Sequence, residues 1–75
     1  MENAKIKSHI KNNLRYHREA VGLRQFEIAE LLDFKGSDRI SKWEHNLAFP
    51  NILNLFKLAK LYGVRVEELY TVIES

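Results

Sequence analysis

The 75-residue chain has no cysteine, one proline and three glycines. Without cysteine there is no disulfide framework and no thiolate zinc site, a usage that fits a reducing compartment. Scarce glycine and proline leave few enforced breaks, so the boundaries between elements are easy to read. No apolar run approaches the ~18 residues of a membrane span. The amino end, MENAKIKSHIKNN, is polar and lacks the apolar middle of a signal peptide. These absences lead to the expectation of a soluble, cytoplasmic protein with no membrane partner. Chemistry-bearing clusters are missing as well. His9, His17 and His45 share no metal-like spacing, and there is no nucleophile–base pair and no phosphate-cradling glycine loop. An enzyme, a metal, a cofactor and a small-molecule substrate are therefore not expected.

What is present is a core and an uneven distribution of charge. A chain of this length buries only about 60% of the surface it exposes when unfolded. It must hold together by apolar packing alone, for which 45% hydrophobic content is sufficient. The net charge is only +2, but residues 1–24 hold six Lys/Arg against two Asp/Glu, residues 25–44 three against five, and residues 45–75 three against three. A localised basic region can meet an anionic partner despite a small net charge, although charge alone is equally met by a solvated helix face.

Apolar periodicity gives five helices and no strand signal, repeat or low-complexity segment. Ile6, Ile10, Leu14 and Ala20-Val21 set a first helix over about 4–21, with Lys5, Lys7, Lys11 and Arg15 on its polar faces and Gly22 at a left-handed end. A second helix covers about Gln25–Leu32, with Asp33 able to take the left-handed conformation after it. A third starts near Ser37, a good cap residue, and ends near His45 or Asn46. Asn51 can cap a fourth over about 52–62; with Ile52, Leu55, Phe56, Leu58, Ala59 and Leu61 it is apolar on most sides and is expected to be the most buried helix. A fifth, about 66–73, opens with Glu67-Glu68 and aligns Leu69, Val72 and Ile73.

Several short strings stand in order at these positions: Arg18-Glu19-Ala20-x-Gly22-Leu23-x-Gln25, Ile28-Ala29-Glu30-Leu31-Leu32, Ile40-Ser41-x-Trp43-Glu44, Pro50, Leu58-Ala59-Lys60-x-x-Gly63-Val64 and Glu67-Glu68-Leu69. Together they closely resemble the Cro/C1-type (XRE-like) helix-turn-helix family over about residues 11–72. The resemblance implies an all-α, compact five-helix, lambda-repressor-like domain filling residues 1–75, and double-stranded DNA as partner. It also implies that the third helix, about 37–45, lies in the major groove, and that Arg18 and Glu44 form a buried pair. Arg suits that pairing because its planar fork can bond both carboxylate oxygens. Ala29 is small where the second and third helices must approach closely.

Ser37, Asp38, Ser41 and Lys42 share the helix face opposite Ile40 and Trp43, near the amino end where base contacts concentrate. Lys42 suits either guanine O6/N7 or a phosphate. Asp38 suits either a cytosine amino group or simply the positive end of the helix dipole. Ser37 is either the cap or a phosphate ligand. Arg24, Gln25, Lys35, Gly36, Arg39 and Asn46 are the candidates for backbone contact: the Gln25 amide beside the open amino end of its helix, and the backbone N–H near Asn46 as a further donor. Trp43, three residues from Ile40, is expected in the core rather than stacked on a base.

Three features depart from the family pattern. The turn Asp33-Phe34-Lys35-Gly36-Ser37 carries one extra residue, with Gly36 placed to absorb it. Arg24 and Arg65 stand where Ser or Thr caps are usual, so the helices that follow are expected to start less firmly. Asp33 replaces the usual turn glycine, a modest strain. The leading expectation is a small transcriptional regulator of the repressor type, dimeric on half-sites about 34 Å apart. Its candidate dimer surface is helix five with Leu69, Val72 and Ile73, side chains that could equally finish the monomer core. The alternative is a protein-interaction module on the same fold, an antitoxin or adaptor.

Overall fold

The computed structural model describes residues 8–74. Its elements run β1 (Ser8–Asn12), α1 (Leu14–Ala20), α2 (Gln25–Leu31), α3 (Asp38–Glu44), α4 (Ile52–Tyr62), α5 (Val66–Leu69) and β2 (Tyr70–Glu74). Among the described residues no helix is long and apolar enough to cross a membrane.

The five helices are present, and the all-α expectation is corrected by a two-stranded antiparallel ribbon. β1 pairs with β2 from Ser8 opposite Glu74 to Asn12 opposite Tyr70. The expected first helix thus starts only at Leu14, and its assumed beginning at residues 4–7, with Lys5, Ile6 and Lys7, lies outside the described residues. The fifth helix stops at Leu69, one turn long, where Tyr70-Thr71-Val72-Ile73 switches to extended backbone. That run is aromatic and β-branched throughout, which suits a pleated strand better than a helix. Asn12-Asn13 separates strand from helix: the Asn12 side-chain oxygen accepts the Leu14 N–H at 2.9 Å and gives α1 its start.

Helix ends follow from single residues. Gly22, Asp33, Asn46 and Gly63 take left-handed φ of 76°, 63°, 61° and 70°. Beyond each, a backbone N–H reaches back into the helix, as from Phe34 to the Ala29 carbonyl at 2.8 Å and from Leu47 to that of Lys42 at 2.9 Å. Asn51 caps α4 as its position suggests, accepting the Asn54 N–H at 2.8 Å. Arg24 and Arg65 offer no side-chain cap, but the expected weakness is relieved from the other direction. The carboxylates of Glu27 and Glu68 accept the backbone N–H of Arg24 at 2.7 Å and of Arg65 at 2.9 Å, which is the reciprocal half of a capping box.

The core gathers Leu14, Ile28, Ala29, Leu32, Ile40, Trp43, Leu58, Ala59, Tyr62 and Leu69. Every helix contributes, and the small Ala29 of α2 is buried among them. Among the described residues α4 has more buried positions than any other helix, as expected, but not all of its apolar sides are covered. Its buried side carries Asn54, Leu58, Ala59 and Tyr62, while Ile52, Leu53 and Phe56 face outward. A helix apolar on most sides can bury only the sides that neighbours cover, and here α4 is covered on one.

Candidate nucleic-acid interface

The most densely hydrogen-bonded part of the site lies behind α3. Arg18 donates Nε to Glu44 Oε2 at 2.7 Å and Nη2 to Oε1 at 3.1 Å, a two-pronged ion pair. Its Nη1 donates to the Leu23 carbonyl at 2.8 Å. Both charged side chains are withdrawn from water, at 9% and 2% exposure. The hydrogen bonds to Glu44 raise the Arg18 pKa above the ordinary guanidinium value, against the opposing effect of burial. Tyr62 borders the pair: burial first, and the Glu44 charge second, hold its hydroxyl protonated well beyond the usual phenol range. Since Arg18 stands on α1 and Glu44 in the last turn of α3, the pair ties those two helices together.

Gln25, at the start of α2, belongs to the same cluster. Its Nε2 donates to Glu44 Oε1 at 2.9 Å. An amide carries two N–H bonds, so one remains for an outside acceptor while the other holds Gln25 in place.

Asn12 went unnoticed in the sequence and is the second anchor of α3. Its Nδ2 donates to the Trp43 carbonyl at 2.7 Å and to the Asn46 side-chain oxygen at 2.9 Å. The end of β1 is thereby tied to the carboxyl end of α3. An Asn-Asn pair inside an otherwise periodic stretch is a break signal, and it is the one clue the sequence offered.

With Ile40 and Trp43 buried and Glu44 held, the opposite side of α3 must face outward. Asp38, Arg39 and Lys42 are exposed and Ser37 and Ser41 half-buried. Ser37 sits at the cap position but forms no side-chain cap bond among the described residues, which leaves its hydroxyl for another partner. Lys42 Nζ stands 3.2 Å from Asp38 Oδ2, one turn earlier, both well exposed. The two candidate base readers thus neutralise each other, through a surface contact too weak to resist a better partner. His45 Nδ1 lies 2.8 Å from the Ser41 carbonyl.

The backbone-contact candidates divide. Arg24, Lys35 and Gly36 are exposed beside the amino ends of α2 and α3. Arg39 stacks its guanidinium 4.0 Å from the centre of the Phe34 ring and 5.7 Å from that of Trp43, which pins it against the turn. Gly36 has an ordinary φ, and a Cβ there would meet nothing within 4 Å among the described residues. Within this turn it is Asp33, at φ 63°, that takes the left-handed conformation, as expected for the residue after α2. Near Asn46 the backbone donors are occupied, the Asn46 N–H by the Trp43 carbonyl at 3.3 Å and the Leu47 N–H by that of Lys42.

A helix-turn-helix family model matches residues 14–69, from the start of α1 to the end of α5, with the ribbon outside the match. No curated protein matches the chain.

Proposed function

Because the chain belongs to the Cro/C1-type helix-turn-helix family of DNA-binding regulators, we propose that it is a sequence-specific transcriptional regulator that lays α3 in the major groove of double-stranded DNA. The observation that carries this reading is the contrast between the two sides of α3. One side is clamped by Ile40, Trp43, the Arg18–Glu44–Gln25 cluster and Asn12. The other presents Ser37, Asp38, Ser41 and Lys42 outward at helical spacing. Base reading needs a short set of polar side chains held rigidly at one depth, and the clamp supplies that rigidity.

In this reading Lys42 leaves Asp38 to donate to guanine O6/N7, and Asp38 accepts from a cytosine amino group. Ser37, Arg24, Lys35 and Arg39 meet phosphates, with the second amide hydrogen of Gln25 beside the amino end of α2. The protein works in the cytoplasm as a repressor-type dimer on two half-sites about one helical turn apart.

The test is selection from random duplexes by the purified chain, with enriched sites read by sequencing and binding followed against salt. One short, two-fold related motif should emerge, and affinity should fall linearly on a log–log salt plot. Lys42→Ala should weaken the selected site by about 1–3 kcal/mol and relax preference at one base pair. Failure to enrich any motif would defeat the proposal; binding insensitive to both salt and Lys42→Ala would point to the protein-interaction alternative.

A further inference from the structure

α2 and α4 leave a shallow apolar groove between them. It encloses about 150 Å³ and is lined by Leu31, Leu32, Lys57, Lys60 and Leu61. An apolar space of that size takes a group as large as benzene. Leu32 belongs to the core, while Leu31 stands 59% exposed on the α2 bank. The apolar surface extends along α4. Leu53, Lys57 and Leu61 follow at i, i+4 and i+8, one line on the helix surface, and Leu53 is 63% exposed. At a rise of about 1.5 Å per residue, the two leucines are about 12 Å apart. The helix-five surface expected to meet a partner does not serve. Leu69 is fully buried and completes the core, and Val72 and Ile73 stand on β2 beyond that helix.

The charges at the edge of the groove are of one sign. Lys57 and Lys60 are exposed, and among the described residues neither forms an ion pair. The acids closest to Leu31 on α2 do not neutralise them. The Glu27 carboxylate accepts the Arg24 N–H at 2.7 Å, and Glu30 is exposed and does not line the groove. An apolar slot beside two unpaired cations fits a partner that carries large apolar side chains and carboxylates together. A phosphate backbone would use the lysines but leave Leu31, Leu53 and Leu61 without a role. A lipid surface takes up a projecting apolar face, whereas this opening is concave. The spacing of about 12 Å is that of apolar residues two turns apart on a second helix, the pattern by which an amphipathic helix lies in a groove.

We propose that the α2–α4 groove binds an acidic amphipathic helix of another protein. One apolar side chain enters between Leu31 and Leu61, a second rests on Leu53 two turns away, and carboxylates between them meet Lys57 and Lys60. The inference does not rest on the DNA reading: it uses none of the side chains assigned to DNA, and its test contains no DNA. Selection from a displayed library of random peptides of about 16 residues, on the purified full chain, should enrich large apolar residues at i and i+7 or i+8 with Asp or Glu between them. The enriched peptide, synthesised and added to methyl-labelled protein, should shift the signals of Leu31, Leu53 and Leu61. Lys57→Glu combined with Lys60→Glu should weaken it at least about tenfold and keep the helical circular dichroism of the parent. The same peptide with its acids changed to lysine should bind that double variant better than the parent. Enrichment of no such pattern would overturn the proposal. So would peptide binding that survives the double variant, or whose shifts fall on Phe49, Ile52 and Phe56 instead. Lysine-dependent binding to phosphatidylserine vesicles in place of any peptide would assign the surface to lipid and overturn it as well. Self-association of the parent that is lost in Lys57→Glu would do the same by making a second copy the occupant.

Discussion

Glu44 receives three side-chain hydrogen bonds, two from Arg18 and one from Gln25, in a nearly dry setting. A buried ion pair adds little net stability when whole, yet losing one partner strands the other. Glu44→Ala should therefore destabilise the fold by about 3–5 kcal/mol in urea titration; an unmoved midpoint would show that Arg18 is not held as described. Tyr70 presents the opposite situation. Its hydroxyl is buried without a partner among the described residues, and burial pushes its pKa from 10.0 to about 12. The folded state thus favours the neutral phenol, so this contribution is complete below pH 10.0 and is lost as pH rises towards about 12. Tyr70→Phe should leave Tm unchanged or raise it by a few degrees at neutral pH. Above pH 10 it should lose less stability than the parent, with the parent and variant curves compared by thermal melts. Residues that act on their own backbone, such as Asp33, Asn46 and Asn51, could be read directly from sequence, because their effects reach only a few positions. Arg18 and Glu44 were legible only through family likeness. Asn12 was not legible, since its partners Trp43 and Asn46 lie more than thirty positions away.

Among the elements, α3 and the turn before it bear most directly on the proposed contact with DNA, and Asn12 couples the carboxyl end of α3 to the ribbon. Asn12→Ala removes an acceptor from the Leu14 N–H and a donor from the Trp43 carbonyl. It should cost about 1–3 kcal/mol in chemical denaturation. Asn12→Asp keeps the acceptor towards Leu14 but sets a carboxylate against two oxygens, and should be no better than alanine. Elements were legible where apolar periodicity and a left-handed stop agreed, as in α2, α3 and the span of α4. They were illegible at the two ends. Leu69, Val72 and Ile73 fit helical spacing as well as they fit a turn of helix followed by a strand, and five residues cannot arbitrate. What decides is β1, some 60 positions away in the chain, and a non-local partner leaves no periodic trace in either segment. The exposure of α4 was hidden for a similar reason: its composition states which sides are apolar, not which sides a neighbour covers.

For the whole molecule, the ribbon is the least locally determined part. Closing it brings segments about 60 residues apart into register, a loop-closure cost that nothing repays until the helices have packed. A two-stranded ribbon by itself is marginal in water. Hydrogen exchange should therefore find the β1 and β2 amides opening well before those of α2 and α4, with free energies far below that of global unfolding. Equal protection throughout would mean that the ribbon is part of the cooperative core.

The register of that ribbon also sets how the domain answers a pull. Ser8 and Glu74 face each other at the open end, and Asn12 and Tyr70 at the end nearest the helices. Tension applied across the two outer positions meets the hydrogen-bonded rungs one after another, as in unzipping, rather than loading all of them together in shear. The force would then arrive at Asn13, whose N–H is held by the Leu69 carbonyl at 2.9 Å and whose side chain donates to the Glu68 carbonyl at 3.2 Å and to Thr71 Oγ1 at 3.0 Å. The domain should therefore yield in two mechanical steps, a soft peeling of the ribbon and then a stiffer rupture where α1 meets α5.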